Sequence, residues 1–436
     1  MFKTNQDIAE YALEKLKKAG ADKASAVVMR GRKDEFNAEC GDFSLMRTLF
    51  NDGLALKAIK SNRKGEIVIN KVEKDEIDKA VEQCIQLAAS AEPDEAEDIA
   101  EKVKNENFDR RIGGPDKNAL FDRTKEFLQQ VSDEYPLIVV ESLITSYNSK
   151  SACYLNSNGV QYNDETEHYD YVSMFAAKDG ELTTSFNYNY ADFSSLKNPI
   201  IDMGMQRTLL DEAVRSLKTR VLDNKFVGKV IVTPACEDMI WGTLFGSFLT
   251  DYALVTETSR WKDNLGDKVT DSALTMRLSP YRSDVICGER FTGDGYLSED
   301  MDIIKDGILK SFVLSLYGAN KTGKPRAAST AMENLEVMPG SKSLSEMIKG
   351  VDKGILVNRF SGASPGPSGE ISGIAKNSFL IENGVVTDAL LETMLSFNVL
   401  DVLQSIPAVS KERVSNGSSL LPWCCFDGVT VSGSGA

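Results

Sequence analysis

From Leu137 to Phe193 the chain alternates polar and apolar residues, interrupted by the dipeptides Asn158-Gly159 and Asp179-Gly180. Asn-Gly and Asp-Gly tolerate the left-handed backbone that a two-residue hairpin demands, so the segment predicts largely antiparallel strands. His168, the single histidine of the chain, lies in NDETEHYDYVSMFA inside this alternation and is expected to point off a strand.

Helical periods flank that sheet. Ile8, Ala12, Leu13 and Leu16 form a stripe that Thr4 or Asn5 can cap and Gly20 can end. Strand-like segments follow at ASAVVMR, EFNAE, SLMRTLF, LALKAIK and EIVIN, then helical KDEIDKAVEQCIQLAASAE, a long acidic connection from Glu92 to Pro115, and helical NALFDRTKEFLQQV. AEPDEAED within the connection reads as a solvated loop, since no EF-hand spacing accompanies it. A helix from about Pro199 to Thr219 joins two halves. The class is therefore α+β: an N-terminal α/β region with helices on a mixed sheet (1–195), a connecting helix (196–222), and a C-terminal region rich in antiparallel strands (223–436). Hairpin signals at Asp306-Gly307 and Asn383-Gly384 and a last strand, GVTVSG, organise the second half.

That half opens with KVIVTPACEDMIWGTLFGSFLTDYAL, a buried strand running into a helix. Ile240, Trp241, Leu244, Phe245, Phe248, Leu249 and Tyr252 recur with the period of a core-facing stripe. Thr233 can cap, Pro234 suits the first helical position, and Glu237 and Asp238 complement the positive end of the helix dipole. Gly242, Thr243, Gly246, Ser247 and Thr250 leave the other face bare. Either another backbone packs against it, or it once looked into an active site and has lost its side chains.

Composition narrows the chemistry. A formal charge of −15 and no basic stripe oppose direct nucleic-acid binding. No stretch approaches the roughly 18 apolar residues of a membrane span, and no signal-peptide pattern opens the chain, so a soluble cytoplasmic protein is expected. Seven cysteines without a CxxC pair indicate neither a disulfide framework nor a thiolate zinc knuckle. One imidazole cannot make a histidine-rich zinc site. Ser194 to Lys197 (SSLK), Ser283-Asp284 and Lys321 to Gly323 (KTG) imitate a penicillin-binding set, but Asn198-Pro199 directly after the lysine breaks the helix such a site requires. Cys424 and Cys425 could supply a nucleophile with His168 as base, although apolar flanks also suit buried thiols. The Gly/Ser/Pro-rich run from Phe360 to Gly384 either cradles a carboxylate or peptide with its backbone amides, or is a flexible loop between two strands.

Three stretches carry a family resemblance: EFNAECGDFSLMRTLFNDGLALKAIKSNRKGEI, KVIVTP with its helix, and GSKSLSEMIKGVDKGILVNRFSGASPGPSGEISGIAKNSFLIENG. In that order, over nearly the whole chain, they resemble the TldD/PmbA family, long labelled modulators of DNA gyrase. The resemblance implies a two-part fold paired in dimers. Its TldD branch resembles zinc metallopeptidases, with His-Glu-x-x-x-His on the helix after the KVIVTP-like strand and a cysteine ligand near the C-terminus. Placing Pro234 on the corresponding proline puts Gly242, Thr243 and Ser247 at those three positions, so the resemblance makes the bare face a vacated metal site. Cys424 and Cys425 lie past the branch's cysteine, which falls nearer Ser415 and Asn416.

The chain thus resembles the PmbA/TldE-like branch that lacks the motif. The resemblance implies a non-catalytic subunit holding no metal or cofactor itself, with zinc in a TldD-like partner. It implies a heterodimer with that homologue, or a homodimer when alone, acting on unfolded or modified peptides. The alternatives are a stand-alone thiol hydrolase using Cys424 or Cys425 with His168, and a regulatory binding protein without a proteolytic partner.

Overall fold

The computed structural model describes residues 2–362 and 366–433. Helix α1 (Asn5–Lys18) starts at a capping box in which Thr4 accepts from the Asp7 amide and Asp7 accepts from that of Thr4. Strands β1 (Lys23–Glu39), β2 (Asp42–Lys60) and β3 (Arg63–Ile69), helix α2 (Lys74–Ser90), strand β4 (Glu106–Arg110), helix α3 (Lys117–Glu134) and strands β5 (Ile138–Asn156), β6 (Gln161–Asp179), β7 (Leu182–Thr183) and β8 (Asn187–Phe193) complete the first half. Its eight-stranded sheet runs β3-β2-β1-β5-β6-β4, with β7 and β8 also on β6. It is mixed because β4 alone pairs in parallel, at Tyr162 to Thr166 of β6; β8 takes Tyr169 to Phe175.

The helices cover this sheet in two patches. Ile8, Leu13 and Leu16 of α1 and Ile77, Val81 and Cys84 of α2 bury Ala26, Val28, Leu54 and Leu56. A Cβ on Gly65 would stand 1.9 Å from the Cys84 carbonyl oxygen, so only glycine lets α2 lie this close to β3. Phe127 and Val131 of α3 and Leu209 and Leu210 of helix α4 (Gln206–Arg215) pack with Tyr171 and Phe175.

Strands β9 (Thr219–Arg220), β10 (Phe226–Val232), β11 (Met276–Leu278), β12 (Met301–Lys305), β13 (Ile308–Leu309), β14 (Leu335–Val337), β15 (Lys353–Gly362), β16 (Glu370–Glu382), β17 (Val385–Leu390), β18 (Thr393–Asn398), β19 (Ala408–Ser415) and β20 (Leu420–Gly433) form a second, twelve-stranded sheet. Most of its pairs are antiparallel; β10–β15, β14–β20 and β17–β9 are parallel. The α+β class expected from the sequence is the one observed.

Several local expectations need correction. ASAVVMR with EFNAE, and SLMRTLF with LALKAIK, merge into the continuous strands β1 and β2, because pairing on a neighbour overrides the polar breaks that punctuate the sequence. The helix expected from Pro199 to Thr219 is a 3₁₀ turn, Ile200–Asp202, followed by α4, with Gly204 at φ +58° between them. AEPDEAED is a loop as expected but only partly solvated: Glu92, Pro93 and Glu95 are exposed, whereas Ala96 and Glu97 are buried. Glu97 is buried against Lys57 and Lys64 at 3.1 and 2.9 Å, and Asp94 reaches Lys321 at 2.9 Å, partners too distant in sequence for a charge pattern to reveal. In the Gly/Ser/Pro run, 363–365 lie outside the described residues, and β16 follows as an alternating strand.

Candidate functional site

Strand β10 delivers the chain to the helix that the sequence singles out. Residues 234–237 form turns, helix α5 spans Asp238–Leu244, a π-helical segment covers Phe245–Leu249, and helix α6 (Asp251–Val255) follows. Helix α5 thus begins four residues later than expected. Thr233 caps nothing, and its buried hydroxyl oxygen has no hydrogen-bond partner among the described residues. Glu237 does not stand at the surface facing the dipole; it is fully buried. Its Oε2 accepts from the Trp241 indole at 2.7 Å, and desolvation raises its carboxyl to about 8. A large indole that enters a core needs an acceptor for its N–H, and the i, i+4 spacing of Glu237 and Trp241 was the available sequence signal.

The bulky face meets the core as expected: Ile240, Trp241, Leu244, Phe245, Phe248 and Leu249 are all buried. Tyr252 is the exception, 72% exposed, because the break at Thr250 ends the stripe's period. The bare face is open. Gly242 and Gly246 are exposed, and a Cβ built on either would meet nothing within 4 Å. Close backbone packing is therefore not the reason for these glycines. The π segment widens the turn here. At about 100° per residue an ordinary helix separates positions i and i+5 by roughly 140°; a wider turn draws Gly242 and Ser247 toward one side.

A cleft opens at the head of this helix. Pro234, Ala235 and Asp238 form one wall, Tyr188 and Tyr190 of β8 another, and Asn416 and Ser419, between β19 and β20, a third. Its volume is only about 50 Å³, room for a few waters, so an extended ligand would reach beyond it. Desolvation raises the carboxyl of Asp238 and, up to about 12, the phenol of Tyr190. Asn416 Oδ1 accepts from the amides and hydroxyls of Ser418 and Ser419 and so shapes the turn.

The proposed thiol–imidazole pairing does not form as the sequence suggested. Cys424 and Cys425 lie buried in different clusters on β20. Burial pushes Cys425 up to about 12, and desolvation and Glu237 push Cys424 well above the ordinary thiol range, so neither is a ready nucleophile. His168 instead lies beside Cys287, with Nδ1 3.3 Å from Sγ, and its Nε2 is 3.7 Å from Asp192 Oδ1. Cys287 comes from a loop 119 residues away, which no local pattern connects to His168.

These features define a class: a two-sheet α+β chain with a cleft at the head of a helix whose open face carries no strong metal ligand. Residues 227–433 match the family model described as the PmbA/TldA metallopeptidase C-terminal domain. Over 452 aligned residues the chain is 24% identical to a metalloprotease of Methanocaldococcus jannaschii, covering 96% of this chain and 95% of that one. It is 23% identical to the metalloprotease PmbA of Escherichia coli O157:H7, over 96% and 94%. The crystal structure of TldE from Thermococcus kodakarensis superposes with a TM-score of 0.84 at 21% identity, over 97% of this chain and 99% of that one. Over nearly its whole length the chain is thus similar to proteins of the TldD/PmbA family.

The metallopeptidases of this family imply a zinc on the α5 helix, and the residues here do not fit it. Gly242 has no donor atom. Thr243 is buried and donates its hydroxyl to the Met239 carbonyl at 2.7 Å. Ser247 offers only a neutral hydroxyl, a poor zinc ligand.

Proposed function

We propose that this chain is a PmbA/TldE-like, non-catalytic subunit that pairs with a metal-bearing, TldD-like homologue and lends it one wall of a peptide channel. The observation that carries this reading is the open face at Gly242 and Gly246: the helix has free space on that side and a widened turn, yet Gly242, Gly246 and Ser247 offer nothing there that could activate water. Such a face serves a peptide only if another chain supplies the chemistry.

Two further features support pairing. Strand β2 is exposed along almost all of Asp42–Asp52, although Asp34, Glu35, Phe36 and Ala38 of its partner β1 are buried, and Leu45, Met46 and Phe50 are 47%, 71% and 73% exposed. An apolar arm of this kind suits a subunit contact. Tyr188 and Tyr190, exposed along β8, add amphipathic surface of the sort that holds extended peptides. Cytoplasmic action on unfolded or modified peptides follows from the same reading.

Mixing purified chain with the TldD-like homologue of the same organism, followed by size-exclusion chromatography with light scattering, tests the pairing. A one-to-one species is expected; two non-interacting peaks at micromolar concentration would contradict it.

A further inference from the structure

The seam between the two sheets holds a cluster that the bare helix does not use. His168 and Asp170 lie on β6 and Asp192 on β8, and one ligand atom from each lies within 4.8 Å of the other two. Cys287 approaches the opposite ring nitrogen of His168, at 3.3 Å. Residues 415–419 close over the cluster: the Asp192 amide donates to the Asn416 carbonyl at 2.8 Å and the Ile286 amide to the Gly417 carbonyl at 2.7 Å.

Its electrostatics are unbalanced. Asp170 Oδ2 accepts from Asn148 at 2.9 Å and has Lys33 at 3.7 Å, but Asp170 Oδ1 is buried with no hydrogen-bond partner among the described residues. Lys33 also reaches Glu35, which Arg47 pairs as well, and it is the one lysine or arginine among the described residues within ion-pair distance of Asp170, while none reaches Asp192. Desolvation, with Asp170 adding to it, raises Asp192 to about 6, and desolvation lowers His168. An imidazole beside two carboxylates whose ligand atoms converge in this way is the donor set of a divalent cation.

We propose that His168 Nε2, Asp170 and Asp192 bind one divalent transition-metal ion of the zinc, cobalt or manganese class, with water completing the shell. Two ligands about 2.1 Å from a metal are at most about 4.2 Å apart, so the observed spacing closes with shifts of about half an ångström. With Nε2 on the metal, Nδ1–H donates to Cys287, the outer contact that fixes a ligating imidazole's tautomer. The metal would sit where β6 and β8 of the first sheet meet the 286–288 and 415–419 loops of the second half, and would clamp them together. This site is separate from the vacated helix face and stands whether or not the chain pairs with a homologue.

Cobalt(II) binding to the full-length, chelator-treated chain tests it, read by visible absorption, equilibrium dialysis and thermal melting. About one cobalt per chain is expected, with a melting temperature that rises on saturation. His168→Gln and the nearly isosteric Asp192→Asn should each abolish stoichiometric binding and that rise. Cys287→Ala, which removes the acceptor, should weaken binding about 10-fold or more, while the exposed-thiol control Cys40→Ala should match the parent. Circular dichroism establishes that each variant is folded, and Asp192→Asn decides if His168→Gln is not. No cobalt in the parent, or full stoichiometry in Asp192→Asn, overturns the assignment.

Discussion

Glu237 and Trp241, one helical turn apart, make a fully buried carboxyl–indole hydrogen bond of 2.7 Å. The bond fixes the first turn of α5 from inside the core, where the other carboxyl oxygen of Glu237 has no geometric partner among the described residues. Because desolvation raises Glu237 to about 8 from an ordinary 4.5, the folded chain holds a proton there that the unfolded chain releases.

The sign of the pH effect follows. Between about pH 4.5 and pH 8 the unfolded state binds fewer protons at this site, so stability falls as pH rises, by up to about 1.4 kcal/mol per unit. Glu237→Gln keeps an acceptor for the indole and cannot ionise. Urea unfolding at pH 5, 6, 7 and 8 should show a shallower decline for Glu237→Gln than for the parent; equal slopes would place the proton elsewhere.

The open helix face gives a second expectation. Gly242→Ala adds a methyl into free space within a helix and should raise stability by about 0.5–1 kcal/mol. Gly246→Leu should leave the melting temperature of the isolated chain within a few degrees of the parent, yet reduce peptide cleavage in the mixed complex by crowding the groove. A large loss of stability in Gly246→Leu would mean that the face is packed after all.

The exposed arm gives a third. Met46→Glu with Phe50→Glu places two charges on a surface that is apolar and clear of the chain's own core, so the fold should persist. Association, whether with itself or with the homologue, should weaken at least about 10-fold, since a charge buried in the contact is uncompensated. Sedimentation velocity over a concentration series measures this directly, and an unchanged association constant would move the contact to another face.

Much of the fold was legible in the sequence because period and turn chemistry are local. Asn158-Gly159 lies where β5 turns into β6, and the α1 stripe is buried residue for residue. What failed was non-local or cooperative. The Thr233–Pro234 start signal was overridden when Glu237 went inward to satisfy Trp241, and the π turn after Leu244 has no sequence signature. Gly242, Thr243 and Ser247 were singled out as a set only through resemblance, and the burial of Thr243 could not be foreseen from it. His168 was seen to be unusual, but its neighbours Asp192 and Cys287 arrive from separate elements, so the sequence pointed to the wrong thiols.

The most direct test of the account is peptide cleavage by the isolated chain, the isolated TldD-like homologue and their mixture, with and without chelator. The account predicts no cleavage by this chain alone and chelator-sensitive cleavage by the mixture. Within the mixture the Cys424→Ala and Cys425→Ala variants, once established as folded, should run at nearly the parent rate. Cleavage by this chain alone that survives chelator and is lost in a cysteine variant would contradict it and make the chain a thiol hydrolase.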